Sequence, residues 1–469
     1  MKKIVLSLAG VLAATAFAPE ASALPAFARQ TGMACSACHQ QHFPILNGFG
    51  RAFKAAGYTM MGAQGKVEGE HLSIPDTLNA AILAKVRYVK RSGVASGTGN
   101  GLGQTVGGGQ WQFGDEFSLF FGGRVAENIG FLLEGNLANH TAGVDTVTAG
   151  TPTNNVIAGT GGMLAGFKLP VIFDVGSAKV GAVPFTTDTL GASYGFELSS
   201  TGVLRANRWA EQRRDISAVQ YAAADGLGGN YTGAATGVAL IAQNDFGYIN
   251  FTRWTPNFAP GANGQAVPSY DMKSNYLRIA ATPTLGDWAT HIGAGFISGS
   301  SEAGPTGDGG AAAGPALLGL GVANGAVYQT KATFADLQAH GSVGGKDLGV
   351  YATWAKSPAS GATCVVGTAT NNQCNLYNSS TTVAKSAWTL GAEYSVIPNA
   401  LHIGAAYRSG TRPLAGVASK DNSFMVSVVY DLAQNVALHL NQSARSGSFY
   451  NVAAPVGKSE TLMMLEAAW

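Results

Sequence analysis

After Phe17 the sequence has no apolar run of the roughly 18 residues that a spanning helix needs, so a helical membrane protein is excluded. Charge is scarce too: Asp, Glu, Lys and Arg make up 12% of 469 residues, and the formal net charge is +2. That balance excludes a nucleic-acid binder and a polybasic protein of the membrane surface. Cysteine occurs at four positions only, in two close pairs. Apolar residues make up 46% of the chain, so it is not a disordered one, and its 64 glycines have no period of three, so it is not collagen-like.

The first residues read as an export signal. Lys2 and Lys3 form the charged start, Ile4 to Phe17 the apolar run, and Ala21-Ser22-Ala23 the small-residue cleavage site. Residues 1–23 therefore stand outside the fold, and Leu24 is expected as the first mature residue. Export takes the chain to a compartment where disulfides form and c-type haem is attached.

Residues 34 to 39 read Ala-Cys-Ser-Ala-Cys-His, which contains the C-x-x-C-H pattern. Two thiols three positions apart can bond both vinyl groups of one porphyrin, and the next residue then offers imidazole to the iron. Cys35 and Cys38 are the expected attachment points of one haem c, and His39 is the expected proximal ligand. A zinc site would need further ligands close by, and only His42 and His71 are at hand. Leu46, Phe49, Phe53 and Ala56 recur at helical spacing within Pro44 to Tyr58, one apolar stripe able to cover a haem face or pack on a barrel wall. For the distal ligand, Met60 or Met61 suits a high haem potential, His71 or His42 suits a lower one, and an open site is the third alternative. Residues 24–77 are too few to bury a core without a cofactor or a wall to lean on.

From residue 78 to 469 short segments alternate apolar with small or polar residues, the period-two signature of membrane strands. In Leu401 to Arg408 the odd positions suit lipid and the even ones are polar or small. Short turns fall near Asn128-Ile129, Gly176-Ser177, Asp245-Phe246, Gly286-Asp287, Lys346-Asp347, Pro398-Asn399 and Gln434-Asn435, with long connections between. Seven short turns and eight long connections predict an all-β transmembrane barrel of about sixteen antiparallel strands, both termini periplasmic and the long loops extracellular. The last strand, Ser459 to Trp469, turns Thr461, Met463, Leu465, Ala467 and Trp469 to lipid, and Glu460 and Glu466 to the lumen. Cys364 and Cys374 are expected to form a disulfide worth about 2 to 3 kcal/mol on an external loop. The connection from Thr187 to Tyr231 carries Arg205, Arg208, Arg213 and Arg214 with Trp209, Glu211 and Asp215. It either folds into the lumen as a constriction or stays outside, with a short extra strand at Ile216 to Ala223.

One stretch is more specific. Pro25-Ala26-Phe27-Ala28-Arg29-Gln30-Thr31-Gly32, Cys35 to His39, Phe43-Pro44, Phe49-Gly50-Arg51-Ala52-Phe53-Lys54 and Gly57-Tyr58-Thr59 together resemble the fused outer-membrane cytochrome-porin iron oxidases of iron-oxidising bacteria. The resemblance implies a small α-helical domain with a single haem inside a porin-like barrel, oxidation of ferrous iron at the outer surface, and transfer to a soluble periplasmic cytochrome. It assigns Cys35, Cys38 and His39, and no iron-binding residue. Three functions are compatible with this sequence: a ferrous iron oxidase, an electron conduit for another donor or partner protein, and a diffusion porin with an ancillary haem.

Overall fold

Strand residues from Ala80 onward alternate between two faces, and sixteen strands pair antiparallel, edge to edge, until the last meets the first. The structure, a computed structural model, describes residues 25–70, 72–92, 109–137, 147–148, 151–152, 164–187, 191–196, 217–223, 235–256, 272–302, 327–364, 374–378, 380–451 and 457–469. The export signal, His71 and the cluster from Arg205 to Asp215 lie outside them.

In chain order the barrel strands are β1 (Ala80–Arg91), β2 (Gln110–Ala126), β3 (Ile129–Asn136), β4 (Leu164–Lys168, resuming as Val171–Val175) and β5 (Ala178–Thr187). Next come β6 (Ala235–Asn244), β7 (Gly247–Thr255), β8 (Ser274–Ala281), β9 (Trp288–Ser298), β10 (Ala332–Val343) and β11 (Lys346–Ser357). The last are β12 (Lys385–Ile397), β13 (Leu401–Leu414), β14 (Asn422–Ala433), β15 (Val436–Ser446) and β16 (Ser459–Ala468). Closure runs from Glu460 opposite Arg91 to Ala468 opposite Leu83.

The faces decide between membrane and water. Trp388 and Leu390 are 46% and 54% exposed on the outside, whereas Arg408 is 1% exposed on the inside. A soluble sheet buries its apolar face; here that face is outermost and belongs in lipid, as in an outer-membrane barrel. In β13, Ile403, Ala405 and Tyr407 point out while His402, Gly404, Ala406 and Arg408 point in. In β16, Glu460, Leu462, Met464 and Glu466 are buried and Thr461 and Leu465 are exposed, as the alternation required.

All seven short turns share one end of the barrel, and two details differ from the sequence reading. The β10–β11 turn is at Gly344-Gly345, two residues before Lys346-Asp347, because both glycines take a positive φ (62° and 74°) and close a two-residue hairpin. At the opposite end one of the eight connections is also tight: Ala415 (φ 48°) and Gly416 (φ 77°) turn β13 back into Val417–Lys420, so this hairpin extends beyond its neighbours instead of opening into a long loop. Cys364 and Cys374 are joined by a disulfide within the β11–β12 connection, Cα atoms 4.6 Å apart.

Among the described residues, segments enter the lumen from both ends of the barrel. From the short-turn end comes the N-terminal segment, with α1 (Pro25–Thr31), α2 (Cys35–Cys38), α3 (Gly48–Ala55) and a strand pair of Lys66–Gly69 with Leu72–Pro75. Its own core is three rings, Phe27 stacking on Tyr58 at 5.0 Å and meeting Phe53 edge-on at 5.1 Å. Barrel strands supply the rest. Ile45, 1% exposed, packs on Tyr351, Ala406 and Met425, a burial worth about 2 kcal/mol. Gln243 Nε2 donates to the Ala55 carbonyl (2.6 Å) and Gln41 Nε2 to the Glu393 carbonyl (2.8 Å), so β6 and β12 grip the segment from different sides. Gly130 is needed for close approach, since a Cβ there would stand 1.8 Å from the Gly57 carbonyl oxygen.

From the long-loop side comes α4 (Ala218–Ala223), a helix where a short extra strand was one of the expectations. The lumen offers it no free sheet edge, so its backbone groups pair internally and with wall side chains. Ser217 Oγ accepts from Gln220 N, Thr353 Oγ1 accepts from Ala218 N, and Ser357 Oγ donates to the Ala222 carbonyl. Tyr221 donates to buried Asp421, beneath the Arg408 guanidinium.

Candidate cofactor site at the short-turn end

Cys35 and Cys38 begin and end α2, one helical turn, so their side chains share a face. Both are free of disulfides. The turn has no capping side chain of its own. Instead Gln434, in the β14–β15 turn, accepts from Cys35 N through Oε1 at 3.1 Å. Asn47 ties the other end: it caps α3 by accepting from Gly50 N (3.0 Å), and its Nδ2 donates to the Ala37 carbonyl (3.0 Å).

Gly50 shows how tightly α3 crosses α2. A Cβ there would stand 2.1 Å from the Cys38 carbonyl oxygen. Gly50→Ala is expected to destabilise the N-terminal segment by about 1 to 3 kcal/mol, through forced separation of the two helices. Faster amide hydrogen exchange in residues 35–56, with the barrel strands unchanged, is the measurement that checks it.

His39 leaves the helix in an extended conformation and packs edge-on against Phe43, ring centroids 5.4 Å apart. Its Nδ1 lies 3.1 Å from the Ile45 carbonyl oxygen, which accepts only if Nδ1 carries the proton. That tautomer leaves Nε2 with a lone pair, the arrangement by which metal-bound histidines are commonly oriented. Burial holds the imidazole down at about 4, against the Ile45 carbonyl, so His39 is neutral at pH 7. Burial also pushes the Cys35 thiol up to about 12 and raises that of Cys38, so both stay protonated.

Cys35, His39 and Phe43 form one side of a small cavity of about 30 Å³ that opens to solvent. The barrel forms the other side with Asp431, Gln434, Asn435 and Glu466, together with small apolar residues of β15 and β16. Two thiols on one helical turn and a neutral imidazole with an uncommitted Nε2 are the donor set of a c-type haem, while the cavity beside them has room for water only and Cys38 does not line it.

Of the expected distal ligands, His71 lies outside the described residues. Met60 and Met61 are half-buried, their backbone held through the Met60 carbonyl by Gln30 Nε2 (2.7 Å), and neither lines the cavity. His42 has both ring nitrogens engaged, Nε2 with Glu393 Oε1 and Nδ1 with the Phe43 carbonyl, each at 2.7 Å. Burial lowers its basicity, but the Glu393 carboxylate outweighs that and raises the imidazole to about 9, helped by Asp431 and the Phe43 carbonyl. His42 is thus a docking cation.

Periodicity and motif did not single out the barrel histidines. His291, His340, His402 and His439 are all buried, all point inward, and all lie within a few residues of the short turns. His402 and His439 flank the His42 ring at 5.6 and 5.7 Å between centroids. His402 is held by Asp431 at 2.9 Å and Ser395 at 3.0 Å. The signal was available as an inward register position beside each turn. Among the described residues, no group of three or more His, Cys, Asp or Glu is arranged to hold a metal ion.

No protein-family model matches the chain, and no curated protein matches it in sequence. Solved structures resemble it in architecture. The outer-membrane expressed OmpT of Vibrio cholerae is 11% identical over 86% of this chain and 100% of that one, with a TM-score of 0.43. The outer membrane protein opdK of Pseudomonas aeruginosa is 12% identical over 83% and 98%, at 0.40. The outer membrane channel DcaP of Acinetobacter baumannii is 11% identical over 84% and 97%, at 0.43. The likeness is one of barrel form alone.

Proposed function

We propose that this chain is an outer-membrane electron carrier and ferrous iron oxidase. One haem c, joined to Cys35 and Cys38 and ligated by His39, takes single electrons from extracellular ferrous iron and yields them to a periplasmic cytochrome or another soluble acceptor. The observation that carries this reading is His39: its Nδ1 is committed to Ile45 and its neutral ring faces a cavity beside Cys35, at the mouth of a closed barrel. Bound haem would supply a one-electron couple. The chain's own residues hold the attachment turn through Gln434 and Asn47, fix the imidazole tautomer through Ile45, and surround the segment with a wall that keeps lipid outside. The choice of ferrous iron rests on the similarity of residues 25–59 to the cytochrome-porin iron oxidases, and the long loops are taken as extracellular.

A second reading, a solute channel with an ancillary haem, has the porin-type barrel in its favour. Against it, the N-terminal segment occupies the short-turn mouth and α4 fills part of the opposite half. Stopped-flow mixing of the oxidised, purified protein with ferrous iron separates the two, and reduction of the haem band is the expected result. A haem that dithionite reduces, but that stays oxidised under excess ferrous iron at every pH where the barrel is intact, would exclude iron as donor. Steady porin-like conductance in planar bilayers would then favour the channel.

A further inference from the structure

We propose that the outer face of β7 to β11, at the long-loop end, binds the phosphates of lipopolysaccharide in the outer leaflet. The site is independent of haem and takes from the reading above only that the long loops are extracellular.

Alternation sets which side chains point outward here. Trp254, Ser274, Ala332 and Ser357 are buried on the lumen face, so their neighbours Arg253, Lys273, Lys331 and Lys356 point out, and all four are exposed. Arg253 stands opposite Asn275, and Asn275 opposite Ser298. Lys331 continues that row, one residue beyond the pairing of Ile297 with Ala332. Lys356 lies opposite Thr333, two residues further along β10. Four strand spacings put β7 and β11 about 19 Å apart, so the long side chains of all four cations can close on one ligand.

The patch lies at headgroup depth. Two residues from Lys356 is Trp354, directly opposite Trp388, and both indoles are exposed on the outer face. Phe296 joins them, opposite Thr333. Such aromatics mark the level where the apolar band ends, and the cations stand on its loop side. Among the described residues Arg253, Lys331 and Lys356 pair with no carboxylate, whereas at the short-turn end Lys179 is paired with Asp174, and Asp245 and Asp287 occupy the turns. Arg253 is also held in place: Nη1 donates to Asn275 Oδ1 at 2.6 Å, which leaves Nε and Nη2 to face a phosphate as a fork. Asn375 fixes the Lys331 backbone from both sides, at 3.1 and 2.9 Å. A phospholipid with one phosphate engages part of this patch; a lipid with several phosphates on one head engages all of it.

The full-length protein in phosphatidylcholine nanodiscs is titrated with lipopolysaccharide, with its dephosphorylated form, and with phosphatidylglycerol. Lipopolysaccharide is expected to bind roughly tenfold or more tightly than either of the others, and Lys331→Gln/Lys356→Gln to weaken it by roughly tenfold. Arg253→Gln, expected to weaken it too, is the second variant should the double one not assemble. Lys66→Gln and Lys179→Gln, at the other end of the barrel, are expected to leave binding unchanged. Equal binding of the dephosphorylated form or of phosphatidylglycerol, or equal weakening by the Lys66 and Lys179 changes, overturns the inference. An epitope placed in the Ala415-Gly416 hairpin reports the orientation. If antibody cannot reach it on intact cells, the extracellular placement of the long loops falls and this leaflet with it; if it is reached and lipid binding is still lost, this inference alone falls.

Discussion

With Cys35 and Cys38 both changed to alanine, the mature chain is expected to carry no haem, and its mass to fall below that of the haem-loaded parent by the haem adduct and the two lost sulfurs. The effect is all-or-none because the anchors are covalent. The barrel is expected to assemble regardless, since its closure depends on strand pairing from Glu460–Arg91 to Ala468–Leu83 and not on the thiols. Heat-modifiable mobility in a gel reports that assembly. His39→Ala is the sharper companion: both anchors remain, so the haem mass is kept, while the normal reduced spectrum is lost with the proximal imidazole. A chain that keeps its haem mass after loss of both cysteines would mean that the attachment motif has been misread.

Replacing Glu393 by alanine is expected to release the N-terminal segment from the short-turn mouth. His42 and Glu393 are each about 1% exposed at the side chain, and breaking such a pair by removing one partner costs about 3 to 5 kcal/mol, because the remaining charge stays buried. Glu393→Ala is therefore expected to make residues 25–62 protease-sensitive in an otherwise intact barrel, and to open ion conductance through it. The pair also sets a pH dependence. His42 is raised from 6.5 to about 9 in the docked state, so its contribution to docking is complete below pH about 6.5 and is lost as pH rises through about 9. Protease sensitivity of the parent should then increase on the alkaline side. A flat profile between pH 6 and 10, with Glu393→Ala resistant as well, would show that hydrogen bonds from Gln41 and Gln243 suffice to dock the segment.

Much of the barrel was legible because its signals are local. Alternation in Leu401–Arg408 and in the final strand gave the correct faces, and turn chemistry at Gly176, Gly286 and Asn399 placed the correct ends of strands. Local signals failed where a partner came from far away. Ala218–Ala223, offered as a short extra strand, is a helix whose partners are Thr353 and Ser357 on the barrel wall. Ala415-Gly416 carries one glycine amid apolar residues, a weak mark for the two-residue hairpin it forms. At the candidate site the C-x-x-C-H spacing marked the short helical turn that carries both cysteines, with His39 directly after it. Glu393 and Gln434 were not, since they lie 351 and 399 residues from the groups they hold, and nothing in a neighbouring window marks a docking carboxylate or amide.

On the proposed haem reading, the bond from Gln434 to the Cys35 amide also implies an order of events during biogenesis. Cys35 is 8% exposed in the assembled molecule, enclosed by residues that are among the last of the chain to be made. A thiol that must meet a vinyl group, with a maturation enzyme presenting it, has to do so before β14 to β16 close the barrel over it. On that reading covalent loading precedes closure of the barrel, and a strain lacking c-type maturation is expected to insert empty barrels that no later supply of haem can fill.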